Sequence, residues 1–419
     1  MDKIIIHGGR SLTGTVKISG SKNSALPILA ATLLTKEPCI IQRVPDLSDV
    51  HYMLQILTRL GAEVERASGV VTVKAEHVNT VAPYEIVRKM RASICVLGPL
   101  LGREREATVS LPGGCVIGDR PIDIHLRGFE ALGAAVRVHG GNVKVFAPIL
   151  RGANISMKGK FGTTVLGTDN IMTAAVLADG VTIIEDAACE PEVVDLANFL
   201  NKMGAKIEGA GTTKIVIEGV KELHGTKYEI IPDRIEAGTF LITGAIAGKE
   251  VTINRARPDH LTAVTDALKS CGYHVIGNNS SLTIQANGTR RSLELKTEPY
   301  PGFPTDMQAQ MCALLSTVSG ESSVTENIFP QRFMHVSELK RMGAAIDLNG
   351  ATAEIKGVSN LSGAPVMASD LRASAALILA GLLADGMTEI NRVYHIDRGY
   401  EMIDEKLSGL GAHVERVKI

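Results

Sequence analysis

One pattern recurs six times along the chain: a helical stretch with an apolar stripe stops on a glycine, and a β-branched residue follows three positions later. It reads LTRLGAEV (57–64), FEALGAAV (129–136), FLNKMGAKI (199–207), LKSCGYHV (268–275), LKRMGAAI (339–346) and LSGLGAHV (407–414). The stop glycines are Gly61, Gly133, Gly204, Gly272, Gly343 and Gly411, so successive gaps are 72, 71, 68, 71 and 68 residues. Glycine suits the left-handed residue that ends a helix, and Val or Ile opens the strand that follows. After each stop come a hairpin and a further strand, as in KIVIEG, LHG, YEIIPDRIEA (214–237) and AEIKG, LSG, PVMASDLRAS (353–374). The chain is therefore an α/β protein built from six units of about seventy residues.

The sixth unit runs out at VERVKI, and KIIIHGG, SLTG, TVKISGSKN at the other end of the chain has the pattern it lacks. We expect residues 1–21 to complete the sixth unit and close the molecule. Three units per domain then predict a first domain over 22–230 and a second from 1–21 with 231–419, joined by a two-strand hinge. That agrees with a length prior of roughly 150 residues per domain only loosely, as two large domains. A cleft between domains is a favoured place for a ligand. Repeats of this size also make solenoid binding scaffolds, but here the polar residues break the symmetry.

Each unit opens with a strongly apolar helix, and polar residues gather at its expected start. They are Lys22 and Asn23, Arg91, Asp169 and Asn170, Arg234 and Glu236, Asp306, and Asp370 with Arg372. Apolar all round, these helices should be central and buried. Asp and Asn are ordinary caps. Lys22, Arg91, Arg234 and Arg372 are not, because the helix dipole disfavours a cation at the N-terminus by roughly 0.3–1 kcal/mol. A bound phosphate or carboxylate would explain them, since free N–H groups at helix starts also attract anions. Asp306 is the opposite case, poorly placed to hold an anion and well placed to take a proton.

LPGGCVIGDRP (111–121) has the composition of an active-site loop. A Gly-rich loop is a poor place for core packing, so Cys115 reads as a reactive thiol that Arg120 could tune. The other cysteines, 39, 95, 189, 271 and 312, read as small core residues. No CxxC or Cys/His spacing suggests zinc, and we expect no metal. Lys plus Arg (44) balances Asp plus Glu (45), and there is no Trp, so no global field or stacking surface favours nucleic acid. The longest apolar run, 373–384, is too short for a bilayer, and the chain reads as cytoplasmic.

At SGSKN (19–23), MRAS (90–93), LPGGCVIGDRP, PDRIEAGTF (232–240), FPTDMQAQ (303–310), MASDLRAS (367–374) and VYHIDRGYE (393–401), the chain resembles the UDP-N-acetylglucosamine enolpyruvyl transferase family. The resemblance implies an inside-out α/β barrel of two domains, each with three repeats of outer sheet and buried helix. It implies phosphoenolpyruvate and UDP-N-acetylglucosamine as substrates, with no cofactor, no metal and no obligatory protein partner. The reaction would open peptidoglycan synthesis, in the service of cell shape and division, and would be blocked by fosfomycin. On this resemblance Lys22, Asn23, Arg120 and Arg398 hold phosphoenolpyruvate. Cys115 protonates the enolpyruvyl methylene and forms a phospholactoyl adduct, while Asp306 is base and ligand at the sugar 3-hydroxyl. Arg91, the run Arg120, Pro121, Ile122, Asp123, Ile124, and the backbone around Ile328 hold the nucleotide sugar. Arg332, Asp370 and Arg372 line the reaction centre. Two places depart from the pattern: FGTTVLGT (161–168) replaces a Ser-Val-Gly-Ala-Thr run, and Ser48 stands where some members have Lys. Two alternatives stay open, a shikimate-type enolpyruvyl transferase and a catalytically silent nucleotide-sugar sensor.

Overall fold

The computed structural model describes residues 2–111, 122–160, 162–286 and 288–418. They form two compact units, one of residues 20–111 with 122–231 and the other of residues 2–19 with 232–418. Each unit carries three four-stranded sheets, and every sheet combines one parallel pair with two antiparallel pairs.

In the first unit the sheet of Lys227–Glu229, Cys39–Gln42, Val70–Lys74 and Glu63–Ala67 is followed by two more of the same strand order. These are Val81–Ala82, Glu106–Ser110, Asn142–Phe146, Ala135–His139, and Asn154–Ser156, Val181–Glu185, Lys214–Glu218, Lys206–Glu208. In the second and third of these sheets a parallel crossover runs through a buried helix, the connection that parallel strands require. The helices Lys22–Ala31, Leu97–Glu104 and Val165–Ala175 fill the centre of this unit. Closest approach comes at Gly98, where an added Cβ would lie 2.2 Å from the Asn170 carbonyl oxygen. The Gly98 amide donates to Asn170 Oδ1 at 3.0 Å across that contact.

The second unit repeats the plan around helices Arg234–Ala247, Gln308–Leu315 and Leu371–Leu383, which touch one another. Every residue of Gln308–Leu315 is buried, and Leu377, Ile378 and Leu379 are at most 1% exposed. Each such aliphatic side chain contributes about 1.5–3 kcal/mol of burial. With helices inside and sheets outside, the fold is an inside-out α/β barrel of two three-repeat domains.

Two strands depart from a simple reading of the repeats. Asp2–His7 completes the sixth sheet, between Met387–Asn391 and His413–Lys418. Leu12–Lys17 does not: it pairs in parallel with Gly248–Asn254 and opens the fourth sheet. Buried Leu12 and Val16 give it the inward face that sheet needs. In sequence Leu12–Lys17 leads into helix Lys22–Ala31 of the first unit. Lys227–Glu229 leads into helix Arg234–Ala247 of the second but pairs with Cys39–Gln42 of the first. The opening strands of the two units are thus exchanged.

The helix starts also shift. Helix Val165–Ala175 begins four residues before Asp169, capped by Thr164, whose hydroxyl accepts from the Gly167 amide at 3.1 Å. Asp169 and Asn170 are therefore buried in the second turn, not at the helix start. Arg91 and Asp306 sit in the 3-10 turns Arg91–Val96 and Thr305–Met307 that lead into their helices.

All six stop glycines have positive φ, between +91° and +103°. Their surroundings differ. At Gly272 (φ +92°) a Cβ would lie 2.3 Å from the Thr289 carbonyl oxygen, whereas at Gly343 (φ +93°) nothing lies within 4 Å. Gly343→Ala should therefore cost only the left-handed strain, about 1–2 kcal/mol. Gly272→Ala should cost clearly more, read as a larger drop in melting temperature under the same conditions.

Candidate functional site

In the second unit the chemistry gathers at Asp306. Its Oδ1 accepts from Arg332 Nη1 at 2.8 Å and its Oδ2 from Arg372 Nη2 at 2.9 Å. The Asp306 carbonyl accepts from Gln310 Nε2 at 2.9 Å, so side chain and backbone are both fixed. Burial alone would raise this carboxyl, but the Arg372 and Arg332 guanidiniums outweigh it and hold Asp306 well below the usual carboxylate range. Two guanidiniums thus face one carboxylate, and Asp306 stays ionised at any working pH.

Neighbouring groups hold those partners in place. Arg332 Nη1 also donates to Thr305 Oγ1 at 3.0 Å, and Thr305 donates to Glu326 Oε2 at 2.9 Å. Glu326 is fully buried, and its Oε1 accepts from the Ile328 and Phe329 amides at 2.8 and 2.9 Å and from Thr297 Oγ1 at 2.8 Å. The loop at Ile328 and the turn at Asp306 are therefore tied to one buried carboxylate. Arg372 lies 5.4 Å from the centre of the buried Tyr400 ring. Asp370 caps helix Leu371–Leu383, its Oδ1 accepting from the Arg372 and Ala373 amides at 2.9 and 3.1 Å. This is the ordinary capping role that Asp serves at a helix start. Beneath it, burial pushes the His335 imidazole down to about 4, so it is neutral. Arg398 ends the 3-10 turn Val393–Arg398 and, after burial, is the next cause lowering His395, an imidazole that Asp370 also influences.

In the first unit Lys22 is the first residue of its helix after the cap Ser21. Its Nζ lies 2.8 Å from Oδ2 of Asp49, which is 1% exposed in the first turn of helix Ser48–Arg59. Here and at Arg372 an internal carboxylate answers the cation, so no bound anion is needed to explain its place at a helix start. Asn23 is the one residue of helix Lys22–Ala31 that is not buried. The cap itself is anchored: Ser21 N donates to the Ile231 carbonyl at 2.7 Å, and Ile231 N donates to Asp195 Oδ2 at 3.3 Å. Tyr228 donates to Asp195 Oδ1 at 2.6 Å.

Of the remaining expected site residues, Ile122 stands before helix Asp123–Ala131 and is buried, Asp123 is in its exposed first turn, and Ile124 packs on the core. Cys115, Arg120 and Pro121 lie outside the described residues. Cys39, Cys95, Cys271 and Cys312 are buried, with Cys39 and Cys271 pushed up to about 11 by burial, so these thiols are inert packing. Sequence reasoning passed over Asp49, Asp195 and Glu326, whose side-chain partners are distant in sequence. Asp233 carried a signal that could have found it, the Asp-x-x-Glu spacing of a helix start. It caps helix Arg234–Ala247 through the Ile235 and Glu236 amides at 2.8 and 2.9 Å.

Burial pushes the Asp195 carboxyl up to about 6, despite the Tyr228 and Ile231 hydrogen bonds that favour its charged form. Its folded-state pKa is above the ordinary value near ~3.9. The folded protein therefore holds this proton more tightly, and the stability it contributes is present below about pH 4 and lost as pH rises through about 6. Asp195→Asn should remove up to about 3 kcal/mol of that slope, at 1.36 kcal/mol per pKa unit. Between pH 4 and 7 the melting temperature of the variant should rise relative to that of the parent protein.

A family model described as EPSP synthase (3-phosphoshikimate 1-carboxyvinyltransferase) matches residues 6–407. The UDP-N-acetylglucosamine 1-carboxyvinyltransferase of Akkermansia muciniphila is 60% identical over 420 residues, covering 100% of this chain and 99% of that protein. The protein of the same name from Methylacidiphilum infernorum is 59% identical over 417 residues, with the same coverage. Among solved structures, the enolpyruvyl transferase NikO from Streptomyces tendae aligns with a TM-score of 0.89 over 100% of this chain and 99% of its own, at 24% identity, a likeness of fold. Matched from end to end at 59–60% identity, the chain belongs to the UDP-N-acetylglucosamine 1-carboxyvinyltransferase family.

Proposed function

We propose that the protein transfers the enolpyruvyl group of phosphoenolpyruvate to the 3-hydroxyl of UDP-N-acetylglucosamine and releases phosphate. One observation carries the reading: relatives 59–60% identical along the whole chain bear that activity in their name. Phosphoenolpyruvate brings a carboxylate and a phosphate, and Lys22, Asn23, Arg120 and Arg398 are the groups assigned to them. Arg91, Arg120, Pro121, Ile122, Asp123, Ile124 and the Ile328 backbone are assigned to the nucleotide sugar, and Arg332, Asp370 and Arg372 to the surroundings of the reacting atoms.

The reaction is addition followed by elimination. The sugar 3-hydroxyl oxygen attacks C2 of phosphoenolpyruvate while Cys115 delivers a proton to C3, giving a tetrahedral ketal. Loss of a proton from C3 and departure of phosphate then restore the double bond. Asp306 accepts the hydroxyl proton. A carboxylate made this acidic by two guanidiniums is a weak base toward a free alcohol, so proton transfer accompanies C–O bond formation, when the oxygen has become acidic. Until then Asp306 orients the hydroxyl as a hydrogen-bond acceptor. Cations around the carboxylate and phosphate stabilise charge throughout. The product would feed peptidoglycan synthesis in the cytoplasm, a setting compatible with the lack of a membrane-crossing helix among the described residues.

Phosphate release from phosphoenolpyruvate should depend on UDP-N-acetylglucosamine; turnover with shikimate 3-phosphate instead, or with neither acceptor, would overturn the assignment. Asp306→Asn should lower kcat by about 10²–10⁴ while the KM for the sugar nucleotide moves far less. Cys115→Ser should abolish covalent labelling by the epoxide fosfomycin, read by intact-protein mass spectrometry.

A further inference from the structure

The sixth sheet carries a cluster that none of the chemistry above uses. His7 ends the strand Asp2–His7 and His413 begins the strand His413–Lys418, and the antiparallel register sets the two directly opposite each other. Their rings stack with centroids 4.3 Å apart and planes 24° from parallel. Glu415 is two residues beyond His413 and so on the same face of the sheet, with Oε1 3.1 Å from His413 Nε2. One donor atom from each of the three residues lies within 4.8 Å of the others. This face points to solvent, because Ile4 and Ile6, the alternate residues of the first strand, are fully buried on the inner side. A dissolved ion can therefore reach it.

We propose that His7, His413 and Glu415 form a binding site for a divalent metal ion of the zinc class, bridging the first and last strands of the chain. Two imidazoles and one carboxylate suit zinc, nickel or copper, whereas magnesium and calcium take oxygen donors. Donors that share a tetrahedral zinc at about 2.0–2.2 Å stand closer together than 4.8 Å. The exposed side chains of His413 and Glu415, 38% and 55% accessible, have room to rotate inward. The stacked rings already hold the two nitrogens' ring systems side by side, so little order remains to be imposed. Water fills the fourth position. On the other side of His7 the register places the exposed Met387, and the nearest cation along the first strand, Lys3, is paired with Glu389 at 2.8 Å. Lys3 therefore opposes an incoming ion less than a free ammonium would. His413–Lys418 is the edge strand of its sheet, and the ion would clip it to its neighbour.

The test is zinc titration of untagged protein by calorimetry, beside His7→Ala and His413→Ala, with copper(II) electron paramagnetic resonance on the same samples. The expected result is one zinc equivalent in the parent protein that weakens by at least about tenfold in both variants. Copper should show coupling to two imidazole nitrogens in the parent and to one in each variant. Zinc uptake by thiols elsewhere survives both substitutions, so the difference isolates this cluster. Equal zinc uptake in all three proteins, or copper coupled to fewer than two imidazoles in the parent, overturns the proposal. His413→Gln, which keeps size and polarity, serves if the alanine variant does not fold. Phosphate release in the presence of chelator should match the parent in every variant.

Discussion

A helix that is apolar on every side cannot tolerate water anywhere along its length, and each unit of this protein is arranged around three of them. The sheets are the covering this demands: their inner faces meet the helices and their outer faces meet solvent. Because three sheets must surround three helices, the repeat has to close on itself. The charged residues Lys22, Asp306, Asp370 and Arg372 sit at the ends of these helices, where the apolar interior of each unit gives way.

Charge at such places is expensive unless it is answered. A lone buried ammonium or guanidinium costs several kcal/mol of lost hydration. Lys22 over Asp49, and Arg332 and Arg372 around Asp306, meet that cost within the protein. The same pairings set the ionisation of Asp306. An Asp306 locked between two guanidiniums is a permanent anion with fixed geometry, and the Glu326 network beneath it keeps Thr305, Arg332 and the Ile328 amide from drifting. The mechanism proposed for Asp306 and the stability of the unit therefore draw on the same contacts.

Much of this was legible in the sequence where a residue's role follows from local physics. The stop glycines announce themselves because few other residues accept a φ near +95° without strain, and all six adopt it. Lys22, Asp306 and Arg372 stood out because a charge abutting a long apolar run costs free energy unless a partner or a ligand answers it. What escaped detection was relational. Nothing in LSDV marks Asp49 as the partner of Lys22, and nothing local marks Glu326 as the acceptor for Thr297 and Thr305. The exchange of Leu12–Lys17 and Lys227–Glu229 was hidden because alternation of apolar residues shows that a strand has a buried face but not which sheet receives it. Asp169 was misplaced because Thr164 caps the helix four residues earlier than its polar pair suggested.

The strand exchange has a consequence for how the molecule is made. As the chain leaves the ribosome, Asp2–His7 and Leu12–Lys17 precede the first unit, yet the strands that receive them, Met387–Asn391, His413–Lys418 and Gly248–Asn254, emerge only after that unit is whole. Leu12–Lys17 must therefore wait unpaired until Gly248–Asn254 is made, and Asp2–His7 until the strands at 387–391 and 413–418 follow. Any factor that shields nascent strand edges would be needed most at residues 2–17, whose partners are made so much later.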